Sequence, residues 1–83
     1  MATKITAEGG IHTVKVASLQ DLQREVGGLI QDAGRVYYED ELVTILCDEE
    51  GLLKQLPINE WVLEYYGRPI VGTVLLVNHE EFN

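Results

Sequence analysis

The chain has 83 residues, of which 46% are apolar, and fourteen acidic against six basic side chains give a formal charge of -8. This length predicts one domain with a thin core, and little interior is left for a deep cofactor pocket. The acidic balance argues against direct nucleic-acid binding, because phosphate contacts need Lys and Arg. It is compatible with a basic protein partner, with mimicry of the charge of DNA, or with solubility alone.

The sequence predicts neither a disulfide nor a membrane segment. Cys47 is the only cysteine, so no internal disulfide can form. No base lies near Cys47 in sequence, so we expect a buried, inert thiol. No apolar run approaches the ~20 residues that a membrane span needs, and no signal peptide follows Met1. We therefore expect a cytoplasmic protein.

The first third of the chain predicts a strand followed by a short helix. Residues 1–10 are expected to be loosely held, and residues 11–16 largely alternate apolar and polar side chains, as a half-buried strand does. Ser18 is a good N-cap for a helix over residues 19–26. The Gly-Gly pair at 27–28 ends that helix, because glycine tolerates the left-handed conformation.

The middle of the chain predicts three strands. A short strand at 29–30 is followed by a polar stretch, and a second strand covers residues 35–38. The third strand covers residues 42–47, which are apolar and β-branched. The polar turn 39–41 joins the last two strands into a hairpin.

Residues 48–59 form the most unusual segment of the sequence. Asp48-Glu49-Glu50-Gly51 predicts a turn with Gly51 at a positive φ angle. Residues 52–56 predict a brief strand or a helical turn, and their leucines are expected to enter the core. Pro57 stops this segment.

The last third of the chain predicts a helix and a central strand. Pro57 or Asn59 starts the helix over residues 60–66. Residues 70–77 are almost continuously apolar, which predicts a central strand covered on both faces. Gly72 inside it predicts a bulge or a close approach by another backbone.

These elements predict an α+β fold. We expect a small, mostly antiparallel sheet with one or two short helices on one face. Residues 1–83 would form a single domain, in which residues 79–83, like residues 1–10, are loosely held.

The patterns expected of an active site or a metal site are missing from the sequence. His12 and His79 lie near the two ends of the chain, and N-capping accounts for Ser18, so a nucleophilic triad has little support. The acids at 39–41 and 48–50 are consecutive, whereas calcium ligands are spaced two apart. No glycine-rich loop precedes a lysine. We expect no enzyme, no metal and no cofactor.

Acidic and aromatic side chains are the candidates for binding a partner protein. The two acidic groups bracket one strand and would lie roughly 20 Å apart. Trp61 and Tyr65, at i and i+4, share one side of a helix. Their aromatic rings either pack in the core or anchor a partner. The candidate partner-binding residues are Glu39, Asp40, Glu41, Asp48, Glu49, Glu50, Trp61 and Tyr65.

Three segments, taken in order, carry a family resemblance. They are Val26-Gly27-Gly28-Leu29-Ile30, the segment from Asp48-Glu49-Glu50-Gly51 to Leu56-Pro57-Ile58-Asn59, and Ile70-Val71-Gly72-Thr73-Val74-Leu75. In this order they resemble a family of small domains of unknown function, encoded mainly by bacteriophages, plasmids and their hosts. The chain departs from the family pattern after Asn59, where Glu60-Trp61 replaces a basic or small polar residue. The resemblance implies a phage or mobile-element setting, and hence the cytoplasm of a host cell, and it supplies no activity.

Three hypotheses of function follow. The leading one is a non-enzymatic, phage-type binding protein that modulates a host protein through an acidic surface. The second is an oligomer that sequesters a nucleotide in pockets between subunits, where Gly28, Gly51, Asn59 and Gly72 would let backbone approach the ligand. The third is a mimic of DNA charge that competes with DNA for a basic host protein.

Overall fold

The computed structural model describes residues 1–78, in which five strands form one sheet and two helices pack against it. The strands are β1 (Ala2–Ile5), β2 (Ile11–Val14), β3 (Ile30–Tyr38), β4 (Glu41–Asp48) and β5 (Val74–Asn78). The helices are α1 (Leu19–Val26) and α2 (Glu60–Tyr66). The predicted α+β class is confirmed. His79 and the tail 79–83 lie outside the described residues.

The sheet is antiparallel and has β5 at its centre. Its strand order is β2-β1-β5-β4-β3, and every neighbouring pair runs antiparallel. The first four residues of β5 are all buried. The predicted central strand, covered on both faces, is therefore confirmed, although it begins at Val74 and not at Ile70.

The two helices lie on opposite faces of the sheet. Successive side chains of a strand point to opposite faces. On β4, Ile45 packs into one apolar cluster with Val62 of α2, whereas Leu46 packs into a second cluster with Val26 of α1. The sequence predicts helices on one face. Because β4 and β5 are apolar at successive positions, each face has an apolar surface, and one helix covers each.

Helix α1 begins and ends where its sequence predicts. The Ser18 hydroxyl accepts a hydrogen bond from the Asp21 amide at 3.2 Å. The Asp21 carboxylate accepts one from the Ala17 amide at 2.9 Å. This bond, together with the Arg24 side chain, lowers the pKa of Asp21. Gly27 ends the helix in the left-handed conformation with a φ of 97°, which is the conformation that favours glycine at this position.

The start of the chain is an integral part of the sheet. The expectation of a loose start is wrong for Ala2–Ile5, because β1 pairs with both β2 and β5. Ile5 is fully buried with the α2 cluster, and Ala2 is buried with the α1 cluster. Four residues are too few to show a periodicity, and the strands that β1 pairs with are built from other parts of the sequence.

Strand β3 replaces the two short strands that the sequence predicts. It runs from Ile30 to Tyr38 with an irregular register between Asp32 and Arg35. The Asp32 carboxylate accepts a hydrogen bond from the Gly34 amide at 2.8 Å, and Gly34 has a φ of 112°. The polar stretch is therefore a β-bulge within one strand and not a break between two.

The β3–β4 hairpin turn is one residue shorter than predicted. Tyr38 pairs with Glu41, so only Glu39 and Asp40 lie between the strands. Both have positive φ angles, 49° and 65°. Positive φ at both central residues is typical of the hairpin turns whose twist matches that of a sheet.

The Ile5–Ile11 pair gives a test of where the core lies. These residues face each other in the β1–β2 register, yet Ile5 is fully buried and Ile11 is 49% exposed. We expect Ile5→Ala to lower the free energy of unfolding by about 2–5 kcal/mol, because it leaves a cavity. Ile11→Ala should lower it by less than about 1 kcal/mol. Urea denaturation followed by circular dichroism measures both; equal losses would contradict this placement of β1.

Candidate functional site

Residues 49–58, here called the leucine loop, connect β4 to Asn59. The loop is a series of tight turns and neither a strand nor a helix. The Gly51 amide donates to the Asp48 carbonyl at 3.1 Å, and the Lys54 amide donates to the Glu50 carbonyl at 2.9 Å. The Leu56 amide then donates back to the Gly51 carbonyl at 3.1 Å. These bonds hold the loop in a compact shape.

An ion pair fixes the first end of the leucine loop. Lys54 Nζ lies 2.7 Å from Asp48 Oδ2 and also donates to the Gly27 carbonyl at 3.2 Å. The other Asp48 oxygen accepts from the Glu50 amide at 2.8 Å. A Cβ atom on Gly28 would lie 2.7 Å from Lys54 Nζ and 2.9 Å from Asp48 Oδ2. Gly28 therefore leaves room for the ion pair that ties this loop to the end of α1.

This pairing determines the protonation of Asp48. The hydrogen bond from Lys54 holds the pKa of Asp48 below its ordinary value, and it outweighs burial, which acts in the opposite direction. The residue is only 5% exposed. Asp48 is thus an internal carboxylate. It does not join Glu49 and Glu50 on an acidic contact surface, where the sequence analysis placed it.

Asn59 fixes the second end of the leucine loop. Its carbonyl oxygen accepts a hydrogen bond from the Val62 amide at 3.1 Å, which caps α2. Its side-chain amide donates to the Ile5 carbonyl at 3.1 Å and to the Gly72 carbonyl at 2.9 Å. The side chain is fully buried. Asn59 therefore joins α2, β1 and the segment before β5.

Two glycines let the leucine loop lie close to the segment before β5. The prediction of a positive φ angle at Gly51 is wrong, because Gly51 is not among the residues with positive φ. Glycine is needed there for space, since a Cβ atom would lie 2.7 Å from Val71 Cγ2. Gly72 has a φ of 80°, and a Cβ there would lie 2.8 Å from Leu56 Cδ1. The Gly72 amide also donates to the Pro57 carbonyl at 2.7 Å, so the close approach by another backbone that the sequence predicts at Gly72 is confirmed.

The leucines of the loop point outward. Leu52 is 80% exposed and Leu53 is 83% exposed, and only Leu56 is partly buried. The expectation that these leucines enter the core is wrong, because the fixed ends of the loop turn its tip toward solvent. A hint lies in the sequence: two adjacent leucines after an acidic turn cannot both point to one side of a strand.

The two acidic groups lie at opposite ends of β4. Glu39, Asp40 and Glu41 are exposed at the hairpin, whereas Glu49 and Glu50 are exposed at the start of the leucine loop. The length of β4 separates them by roughly 23 Å at the usual rise of a strand. They are two surfaces, as the sequence predicts, and not one site.

Trp61 lies at the centre of an aromatic cluster beside the hairpin. Its ring centroid lies 4.8 Å from that of Tyr65, 5.5 Å from that of Tyr66 and 5.9 Å from that of Tyr38. The Tyr66 hydroxyl donates to the Tyr37 carbonyl at 3.0 Å, and burial raises the pKa of Tyr66. Trp61 is partly buried, whereas Tyr65 is 64% exposed. The cluster thus packs α2 onto the hairpin and also offers an aromatic surface.

A groove of about 370 Å³ lies between the hairpin and β1; we call it the hairpin groove. Its lining residues are Met1, Thr3, Tyr38, Glu39, Glu41, Val43, Leu76 and Asn78. Sheet residues supply its apolar part, and the hairpin supplies two carboxylates. Thr3 and Tyr38 were missed by the sequence analysis, since only the pairing of β1 with β5 brings Thr3 near the hairpin end.

The four residues of the nucleotide hypothesis lie against this chain's own side chains. Gly51 and Gly72 are buried against Val71 and Leu56, and Asn59 is buried among its three hydrogen bonds. Gly28 faces the Asp48–Lys54 pair. Other residues of the same chain fill the space beside these four residues, so the four residues do not support the nucleotide hypothesis.

Residues 1–78 hold one buried free thiol and no metal-binding group. No group of three or more His, Cys, Asp or Glu side chains there is arranged to hold a metal ion. Burial raises the pKa of the Cys47 thiol, and the nearby Asp48 and Asp32 carboxylates act in the same direction. In the same range, neither helix is long and apolar enough to cross a membrane.

The Asp48–Lys54 pair predicts a pH-dependent contribution to stability. Because the pKa of Asp48 is lowered in the fold, its stabilising effect is complete above the ordinary value of about 3.9 and is lost as the pH falls through the lowered value. We expect Asp48→Asn to cost about 1.5–3 kcal/mol at pH 7, and the difference from wild type to shrink below about pH 4. Denaturation at several pH values measures this; Glu50→Gln is the control, and a pH-independent difference would refute the ion pair.

The three hydrogen bonds of Asn59 predict a graded series of variants. We expect Asn59→Ala to lower the free energy of unfolding by about 2–4 kcal/mol, because it leaves buried amide and carbonyl groups unpaired. Asn59→Ser keeps a capping oxygen and should recover roughly 1 kcal/mol. Asn59→Asp keeps the cap but directs a carboxylate at the Ile5 and Gly72 carbonyls, so its cost should grow as the pH rises above about 4. Thermal unfolding ranks the variants, and equal stability of the Ala and Ser variants would exclude a capping role.

Comparison with known proteins shows one relationship. No curated protein and no solved structure matches the chain. A family described as a domain of unknown function, DUF3846, matches residues 2–83. This match spans all three segments from which the sequence analysis inferred a small-domain family of unknown function. The chain belongs to the DUF3846 family.

Proposed function

We propose that this protein is a non-enzymatic binding domain that takes a basic segment of a partner protein at the hairpin groove. The observation that carries the proposal is the pair of acidic residues, Glu39 and Glu41, that line this groove together with apolar residues of the sheet such as Val43 and Leu76. A Lys or Arg side chain combines an apolar stem with a charged end, so it matches both parts of such a groove. Exposed Tyr65 and the Trp61 cluster lie beside the same hairpin.

The distribution of charge supports this choice of partner. Within residues 1–78, at least three bases are paired with acids of the same chain, in the pairs Lys4–Glu25, Arg24–Asp21 and Lys54–Asp48. Arg68 donates to the Ala33 carbonyl at 2.6 Å. The internal use of the bases leaves the exposed acids of the hairpin to dominate the local potential, which attracts cations and steers a basic partner.

The proposed setting is a bacteriophage or plasmid, and the proposed partner is a host protein whose activity is modulated. The setting rests on the resemblance of the three segments, and the mode of action rests on the acidic groove. The DUF3846 match itself carries no activity.

A cationic peptide tests the hairpin groove directly. A fluorescent decapeptide of alternating Arg and Ser should bind the protein, with an affinity that falls as salt rises. The double variant Glu39→Gln/Glu41→Gln should weaken binding roughly two- to thirtyfold, since each of the two exposed charge pairs contributes about 0.2–1 kcal/mol. The variant Glu8→Gln/Glu64→Gln removes the same charge elsewhere and is the matched control. Equal weakening by both double variants would refute a localised site.

The same variants separate this proposal from the other two hypotheses. A pull-down from host lysate, at low and moderate salt, should recover a specific partner that the hairpin variant loses. A rise in melting temperature with cyclic or linear nucleotides would favour nucleotide sequestration instead. Competition with DNA for the recovered partner would favour mimicry of DNA charge.

A further inference from the structure

The tip of the leucine loop is an exposed apolar surface that the hairpin groove does not involve. Leu52 and Leu53 are adjacent, and each is at least 80% exposed. Leu52 also forms one wall of a groove of about 200 Å³, together with Ala33, Ile70 and Val71. We propose that this tip is a second docking surface, for a partner protein that offers an apolar pocket edged by Lys or Arg.

The loop holds the leucines in place before a partner arrives. Its first end is tied by the Asp48–Lys54 pair and its second end by the three hydrogen bonds of Asn59. Between them, Gly51 packs on Val71 and Leu56 lies against Gly72. Ordering a flexible loop on binding costs free energy, and a loop that is already ordered avoids most of that cost. Exposed leucines on such a loop are therefore well suited to insertion into a pocket.

Charge selects the kind of partner. Glu49 and Glu50 are exposed directly beside the leucines, and the one base of the loop, Lys54, is already paired with Asp48. An apolar pocket with a cationic rim would be complementary to this surface. A second copy of the chain would bring the same carboxylates together in a symmetric contact, which is unfavourable. The charges thus favour a basic-edged partner over self-association.

The second surface stands independently of the proposed function. It lies at the opposite end of β4 from the hairpin groove, roughly 23 Å away at the usual rise of a strand. Substitutions in one surface leave the other intact. Failure of peptide binding at the hairpin groove would therefore not contradict the proposal for the leucine loop. Failure of the leucine-loop proposal would likewise not contradict the proposed function.

A naive library of single-domain antibody fragments is a defined probe for this surface. The binding sites of fragments selected against the folded protein show which surface is most readily bound, and their sequences show which side chains bind it. We expect the dominant fragments to bind Leu53→Ser at least roughly tenfold more weakly, as expected when a central anchor is lost. Leu19→Ser changes another exposed leucine, which is 58% exposed at the start of α1, and should leave their binding unchanged. If the melting temperature of Leu53→Ser is lower than that of the wild type, Leu52→Ser is used as the second variant.

Paired charge variants test the cationic rim. Glu49→Gln/Glu50→Gln should weaken the same fragments, and Glu39→Gln/Glu41→Gln, with the same change in net charge, should not. Dominant fragments that bind Leu53→Ser as well as wild type, or that respond equally to both charge variants, would overturn the proposal. Sedimentation velocity of the free protein tests whether a second copy of the chain occupies the surface. Self-association that Leu53→Ser abolishes would identify a second copy as the occupant and would also overturn the proposal.

Discussion

The structure depends on the buried side chain of Asn59. A fully buried amide is costly unless it is hydrogen-bonded. The Asn59 amide forms hydrogen bonds through both of its polar atoms. Its oxygen accepts from the Val62 amide at the start of α2, and its nitrogen donates to the carbonyls of Ile5 and Gly72. One residue thereby positions a helix on the sheet, joins it to β1 and sets the direction in which the leucine loop leaves the core. The sheet face below α2 could not close in the same way without it.

The three segments behind the family resemblance meet around the leucine loop. Gly27 and Gly28 meet the Asp48–Lys54 pair, and the Leu29 carbonyl accepts from the Glu49 amide at 2.8 Å. At the other end, Gly72 meets Asn59. The segments therefore describe a framework that orders a loop. The exposed leucines and glutamates are what this framework presents to solvent, and the contacts that stabilise the loop lie at its two ends.

Local signals predicted much of the fold, and long-range contacts decided the rest. Both ends of helix α1 can be predicted from the sequence, because Ser18 and Gly27 mark them. The sequence does not reveal strand β1, because four residues show no pattern, and the polar residues at the β3 bulge indicate a break between two strands. In the candidate site, the polar turns of the sequence account for the exposure of Glu39 and Glu49, whereas they do not show that Asp48 is internal. Its burial depends on Lys54 and on the end of α1, which no local pattern contains.

The bulge in β3 also bears on whether the edges of the sheet can recruit strands from other molecules. An exposed sheet edge can recruit strands from other molecules, and bulges or covering side chains prevent that. At this edge the ladder is interrupted between Asp32 and Arg35, and Arg68 covers the Ala33 carbonyl there. The opposite edge, β2, has only four residues. Neither edge of the described sheet thus offers a long template, which favours resistance to aggregation in a chain with so many β-branched residues.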